Sequence, residues 1–268
     1  MRSARGRMLA AALAIHLVLL PSGASAHRFQ RVLSFHSKSG DVRALEMRIA
    51  GWYPAHTQKL LRVDRYFGRR TTIAVKAFQR RFGLAVDGVA GPQTFSVLNR
   101  LESKDGSTQH FSWAEFWQHK NRSCSRRANR YAGTFKGGEV SSRAVRRHVK
   151  QLMWRLEAVR SKARMPVIVE SGFRSVPYNR CIGGATASQH LFGYAADVRI
   201  PGVSGEHERE IYKRSQIHGV LCYSSSRHTH IDLRLDNRAL PYLHQWWWPD
   251  RDGRGNHLTP EGSRCYGE

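Results

Sequence analysis

The stretch His228-Thr-His-Ile-Asp-Leu-Arg-Leu235 alternates strictly between two kinds of residue, and a period of two reads as a β-strand with unlike faces. Thr229, Ile231, Leu233 and Leu235 take one face, while His228, His230 and Asp232 share the other, neighbours standing about 7 Å apart along the strand. Three titratable side chains on one face of an apolar strand are costly to bury unless something binds them. A metal ion is the simplest occupant.

Further ligands must come from another segment, and Ser188-Gln-His-Leu-Phe-Gly-Tyr-Ala-Ala-Asp197 offers His190 and Asp197, with Gly193 letting the chain turn between them. Residues 195–200 read as a second buried strand and 167–169 as a third. His190, Asp197 and His230 make a set of three N/O ligands that zinc accepts, with a fourth position left for water. A structural zinc is more often closed by four ligands, commonly cysteines, and none of the four cysteines here sits at that spacing. Upstream, 142–160 reads as a helix with Val145, Val149, Leu152, Leu156 and Val159 on one face. Arg146, Arg147, Lys150, Arg155 and Arg160 are expected on a solvated face.

Between residues 60 and 101 the chain repeats itself at an offset of 23: Val63, Asp64, Gly68 and Thr71 recur as Val86, Asp87, Gly91 and Thr94. Each copy reads as a turn followed by a short helix, with Pro92 suited to a first helical position. With the apolar segment 42–49 ahead of them they predict a three-helix unit of about 60 residues. The polar, turn-rich run 102–110 reads as a linker.

At the N-terminus Arg2, Arg5 and Arg7 precede the apolar run Met8 to Leu20, and Ala24-Ser25-Ala26 follows it. That order predicts a signal peptide over 1–26, and hence a protein exported to the periplasm or the cell exterior. All four cysteines, Cys124, Cys181, Cys222 and Cys265, lie beyond that point, where an oxidising compartment favours two disulfides. The formal net charge is +24, and +21 once the three leader arginines are set aside, a field that attracts polyanions. No apolar run reaches the 18 residues of a membrane span, and 41% hydrophobic content with 7 Trp and 11 Phe excludes a mainly disordered chain. No nucleic-acid-binding motif accompanies the charge.

Two resemblances organise these readings. The run from Thr72 through Asp87-Gly-Val-Ala-Gly-Pro-Gln-Thr94 resembles the small helical peptidoglycan-binding domain found beside bacterial cell-wall hydrolases, over residues 41–101. It departs in its first half, where Arg65 and Tyr66 stand in place of the family's glycine. The segments Ser171-Gly-Phe-Arg-Ser175, Tyr178-Asn-Arg-Cys-Ile-Gly-Gly184, Ser188-Gln-His-x-x-Gly-x-x-x-Asp197 and His228-x-His-x-Asp232 occur in the order seen in zinc D-alanyl-D-alanine peptidases. That resemblance implies a small α+β fold with an antiparallel sheet, shared with the signalling domain of hedgehog proteins. It also implies zinc held by His190, Asp197 and His230, with Arg174 and Ser188 contacting substrate. Exported peptidases of this kind point to Cys124–Cys181 and Cys222–Cys265 as the disulfides.

The expected organisation is thus α+β, with a signal peptide over 1–26, a small helical wall-binding domain over 41–101, a linker over 102–110 and a zinc peptidase domain over 111–268. Peptidoglycan is the expected partner, with anionic wall polymers beside it. The resemblance further implies a peptidase cutting stem peptides, of the carboxypeptidase or endopeptidase type. Many members place an acid three residues before the last zinc histidine as general base, but that position is Arg227, which stays protonated. Asp232 or His228 must then move protons, or the protein is a zinc-containing wall binder without turnover. The tail 240–268, with Trp246-Trp-Trp248, carries no assignable motif.

Overall fold

The computed structural model describes residues 27–54, 60–117, 123–124, 134–135, 138–139, 141–203, 205–222, 228–234 and 246–248. The expected signal peptide, Arg227, Leu235 and Cys265 lie outside the described residues.

The N-terminal helices are α1 (Gly40–Ile49), α2 (Arg69–Arg81) and α3 (Pro92–Arg100). Ser39 caps α1 by accepting from the Val42 N–H, and Gly68 and Gly91, the paired glycines of the repeat, both stand at the N-cap. The repeat is visible atom by atom. Asp64 accepts from the N–H of Tyr66, and Asp87 from that of Val89, each closing a turn two residues on. Arg65 adopts φ 75° where its counterpart Gly88 adopts φ 81°. The non-glycine residue therefore carries a left-handed backbone at the position where the sequence departs from its family. Each turn is latched by a polar side chain on the preceding helix. Glu46, fully buried, accepts from the N–H groups of Asp64 and Arg65 and from the Thr71 hydroxyl. Gln79 accepts from the Gly88 N–H and donates to Asp87.

A short α4 (Trp113–Phe116) leads to strands β1 (Thr134–Phe135) and β2 (Gly138–Glu139), which pair with each other, and then to α5 (Ser142–Ala163). Next come β3 (Ile168–Ser171), α6 (Val176–Cys181), β4 (Ala195–Arg199), α7 (Gly205–Lys213), β5 (Gly219–Cys222), β6 (Thr229–Asp232) and β7 (Trp246–Trp248). The larger sheet has the order β3-β4-β6-β5-β7, antiparallel except for the parallel pair β5/β7. The three strands expected from sequence are present; β5 and β7 are additions.

Helix α5 lies on this sheet through Val145, Val149, Leu152, Leu156 and Val159, as its apolar spacing predicts. Its other side corrects part of the expected solvated face: Arg146 and Arg147 are exposed, but the face farther along is covered. Trp154 and Ala158 enter the core of the N-terminal helices beside Trp52 and Phe78, and Arg155 is completely buried. A second domain covers what a lone domain would leave wet, so charge on a helix face did not mean exposure. A Cβ on Gly51 would stand 2.6 Å from that of Ala158, so the two backbones approach as closely as glycine permits.

Residues 102–110 are pinned between the domains. The Glu102 carboxylate, buried, binds the Arg48 guanidinium of α1 at 2.6 Å and the Lys150 ammonium of α5. Glu157 of α5 accepts from the backbone N–H of His110 at 3.0 Å and bonds its ring at 2.8 Å. Farther along, the Leu61 N–H donates to Gln216, and Lys162 donates to the carbonyl of Gly51. Cys124 and Cys181 form the expected disulfide, tying the segment before α5 to the end of α6. Such a bond contributes about 2 to 4 kcal/mol. Cys222 is also disulfide-bonded.

Candidate metal centre

Sheet register brings the first two candidate ligands together. Asp197 of β4 lies directly opposite His230 of β6 in the antiparallel ladder, and facing side chains there start about 5 Å apart. His190 arrives from a 3-10 turn, Gln189–Phe192, that precedes β4. The Ser188 hydroxyl caps this turn by accepting from the His190 N–H at 3.4 Å, and Gly193 ends it at φ 75°. A Cβ on Gly193 would meet the Val145 carbonyl at 2.9 Å, so only glycine lets the turn sit on α5.

Three atoms then converge. His190 Nε2 lies 3.2 Å from Asp197 Oδ1 and 3.1 Å from His230 Nδ1, and His230 Nδ1 lies 3.1 Å from Asp197 Oδ1. Both imidazoles are held by their other nitrogen. His190 Nδ1 donates to the Gly172 carbonyl at 2.6 Å, and His230 Nε2 bonds Asp232 Oδ2 at 3.2 Å. The anchored tautomers aim one lone pair from each ring at the shared point. A tetrahedral zinc with bonds near 2.0–2.1 Å spaces its ligand atoms roughly 3.3 Å apart. The observed triangle needs adjustments of a few tenths of an ångström, so two nitrogens and one carboxylate oxygen fit that ion.

The electrostatics are those of a cation site carrying a proton. Burial pushes the His190 imidazole down to about 4, and Arg174 acts in the same direction, so that ring is neutral. Burial also opposes charge on His230, but the hydrogen bonds of Asp197 and Asp232 outweigh it and lift that ring to about 9. Against its own burial, Asp197 is held well below the usual carboxylate range by His190 and His230. Asp232 is lowered by His230 and Arg234 in the same way.

Arg174 borders the centre. Its guanidinium donates to Asp197 Oδ2, the oxygen turned away from the triangle, and to Ser171 Oγ at 3.1 Å, while its backbone N–H donates to the His190 carbonyl. Ser188 is half-buried and its hydroxyl serves the turn that carries His190. His228, also half-buried, precedes β6 and is outside the converging set.

Asp232 stands on the far side of His230 from the triangle. It is fully buried, and its oxygens accept from the Arg234 N–H at 2.9 Å, Arg234 Nε at 2.8 Å and the rest of that guanidinium, with His230 on Oδ2. It thus touches the nitrogen of His230 that faces away from the triangle. Pairing with Arg234, which continues the even-numbered face of the strand, is one of two partners the sequence offers Asp232, Arg199 being the other, and Arg234 is the one it meets. Sequence reading missed Gly219: a Cβ there would overlap both Asp232 oxygens, so the carboxylate occupies space only glycine leaves free.

Residues 121–232 match the family described as Peptidase M15, and residues 38–98 match the one described as putative peptidoglycan binding domain. The zinc D-Ala-D-Ala carboxypeptidase of Streptomyces albus G is 39% identical over 167 residues, 62% of this chain and 60% of that protein. The chain therefore spans about three-fifths of that relative's length. The N-acetylmuramoyl-L-alanine amidase CwlM of Mycobacterium tuberculosis is 37% identical over 73 residues, 26% of this chain and 16% of that protein. A solved Zn-dependent amidase/peptidase/peptidoglycan-binding domain-containing protein from Clostridium acetobutylicum is 23% identical over 36% of this chain and 39% of that one, with a TM-score of 0.23. The chain thus joins a stretch of the peptidoglycan-binding type to one of the peptidase M15 type.

Proposed function

We propose that this protein is an exported zinc peptidase that cleaves the stem peptides of peptidoglycan, as a D-Ala-D-Ala carboxypeptidase or D,D-endopeptidase. The observation that carries the proposal is the triangle of His190 Nε2, Asp197 Oδ1 and His230 Nδ1 inside the stretch of peptidase M15 type. These three residues are the proposed zinc ligands. Zinc supplies Lewis acidity to an amide hydrolysis, polarising the carbonyl and acidifying water.

The chain's own groups do the rest. Gly172 and Asp232 fix the tautomers of His190 and His230 through their outer nitrogens, which keeps both rings aimed. Arg174 stands beside the ligand cluster with donors left over after Asp197 and Ser171. It is placed to receive the negative charge that builds on the scissile carbonyl or the substrate's terminal carboxylate. Ser188 shapes the turn beside the substrate. Because Asp232 is fully enclosed, proton transfer to the leaving amine falls to His228. Residues 38–98 would hold the enzyme on an immobile substrate and raise its local concentration. Residues 1–26 would direct export to the periplasm or cell exterior, where the Cys124–Cys181 disulfide is at home.

The test is mass spectrometry of muropeptides from sacculi digested by the zinc-loaded protein, with His190→Ala, Asp197→Ala and His230→Ala alongside. Loss of one alanine from pentapeptide stems identifies the carboxypeptidase, and loss of cross-linked dimers the endopeptidase. Each variant should lose stoichiometric zinc and activity together, because a three-ligand site has no spare ligand. Unchanged muropeptides with intact binding to sacculi would favour the wall binder without turnover.

A further inference from the structure

Where the two domains meet, a cleft of about 360 Å³ opens whose lining includes none of the residues of the ligand triangle. Trp52 and Phe82 come to it from the N-terminal helices, and Arg160 and Arg164 from the end of α5 and just beyond. Arg81 spans it, donating to the hydroxyl and carbonyl of Ser161. The lining has one carboxylate, Glu157, and that is engaged by the backbone N–H and the ring Nδ1 of His110. Among the described residues no carboxylate pairs with Arg81, Arg160 or Arg164. Trp52 contributes an edge of its ring, the residue being nine-tenths buried and its Nε1–H enclosed. Guanidinium groups without a carboxylate partner, gathered around one cleft, offer charge-assisted donors to an acidic acceptor. Phe82, half-buried, adds an apolar face against which a sugar ring can lie.

We propose that this interdomain cleft binds an anionic saccharide of the cell wall, its ring against Phe82 and Trp52 and its acidic group on Arg160 and Arg164. The choice of a wall polymer rests on the function proposed above; the preference for an acidic group does not. The acidic group is a phosphodiester of a secondary wall polymer or a carboxylate of peptidoglycan itself.

The experiment is a co-sedimentation isotherm of the full-length, zinc-loaded protein on purified sacculi at physiological salt. The cleft variant Arg160→Ala/Arg164→Ala is compared with Arg143→Ala/Arg147→Ala, a pair of exposed arginines early in α5 that removes the same charge elsewhere. The cleft variant should bind at least about ten-fold more weakly, the scale of one lost charge-assisted contact, and the control within about two-fold of wild type. Turnover of a soluble peptide ending in D-Ala-D-Ala should be the same in all three. Equal loss in both variants, or loss in neither, overturns the proposal. Repeating the isotherms on sacculi stripped of phosphodiester polymers by hydrofluoric acid identifies the source. A cleft effect that vanishes assigns the phosphodiester, and one that persists assigns the carboxylate. Absence of peptide turnover in the wild type would sink the peptidase reading and leave the binding comparison standing.

Discussion

Replacing Asp232 by Asn separates an orienting carboxylate from a general base. In the native protein Oδ1 accepts the Arg234 N–H and Nε–H, while Oδ2 accepts the other arm of that guanidinium and His230 Nε2. An asparagine has one acceptor oxygen. Left on Arg234, it turns the amide NH₂ toward His230, and an N–H there demands a lone pair on Nε2. The ring proton then moves to Nδ1, the atom 3.1 Å from both His190 Nε2 and Asp197 Oδ1, which blocks its use as a ligand. Losing such an outer partner costs about 10- to 100-fold in metal affinity, roughly 1.4 to 2.7 kcal/mol. A buried Arg234 without its counter-charge costs roughly 3–5 kcal/mol more of fold stability. Zinc affinity must therefore be measured well below the variant's melting temperature, by competition with a chromophoric chelator. The expected result is zinc binding weakened by one to two orders of magnitude, with turnover at saturating zinc within a few-fold of wild type. Undiminished zinc affinity with turnover reduced by about 10² or more would refute the reasoning and make Asp232 the base.

Two further outcomes concern the N-terminal helices. Burial raises the Glu46 carboxyl from 4.5 to about 7, against its hydrogen bonds from Arg65, Thr71 and Asp64. The folded state then holds a proton that the unfolded state releases between those values. Its contribution is full below 4.5 and is lost as pH rises through 7, at up to roughly 1.4 kcal/mol per pH unit. Glu46→Gln, whose amide can still accept from the two backbone N–H groups and donate to Thr71, should flatten that slope in urea melts at pH 5 and 7.5; an unchanged slope would exonerate Glu46. Arg65→Gly should leave stability unchanged or raise it by up to about 1 kcal/mol, since the strain of φ 75° and the added freedom of the unfolded chain nearly cancel. Gly88→Ala at the equivalent turn should be clearly destabilising in urea melts run beside those of Arg65→Gly, because its Cβ would meet Thr72 Cγ2 at 2.9 Å; a loss in Arg65→Gly as large would contradict this pairing of the turns.

What could be read from sequence was whatever a short period or a repeat encodes. The alternation around His230 set the face of β6 that carries His230 and Asp232, and the apolar run 195–200 marked a second strand, but that Asp197 lies opposite His230 is a matter of register that neither strand shows alone. The 23-residue repeat placed two turns that share their Asp64 and Asp87 hydrogen bonds and a left-handed residue. Long-range facts escaped. Nothing local distinguishes Asp232 as an outer partner from Asp232 as a base, because the decision lies in which nitrogen of His230 it meets. The buried second side of α5 was signalled only by Trp154 and Ala158, four residues apart, and arginines around them suggested water. Strand β5 is four residues long, and its parallel pairing with β7 joins segments more than 20 residues apart, beyond what periodicity can register.

The sharing of α5 between two cores has a mechanical consequence. A 22-residue helix is about 33 Å of rigid rod, and here one side of it belongs to the domain proposed to cut and the other to the domain proposed to anchor. A module hung on a loose tether lets its enzyme search a sphere of substrate, at a local concentration that tether length dilutes. A module welded to the same rod acts as a caliper. Once it grips the wall, the ligand triangle can reach only bonds at one offset and one orientation from the grip. Cleavage on intact sacculi would then be spaced by the architecture of the wall, while soluble fragments, which can tumble into place, would be cut without regard to spacing.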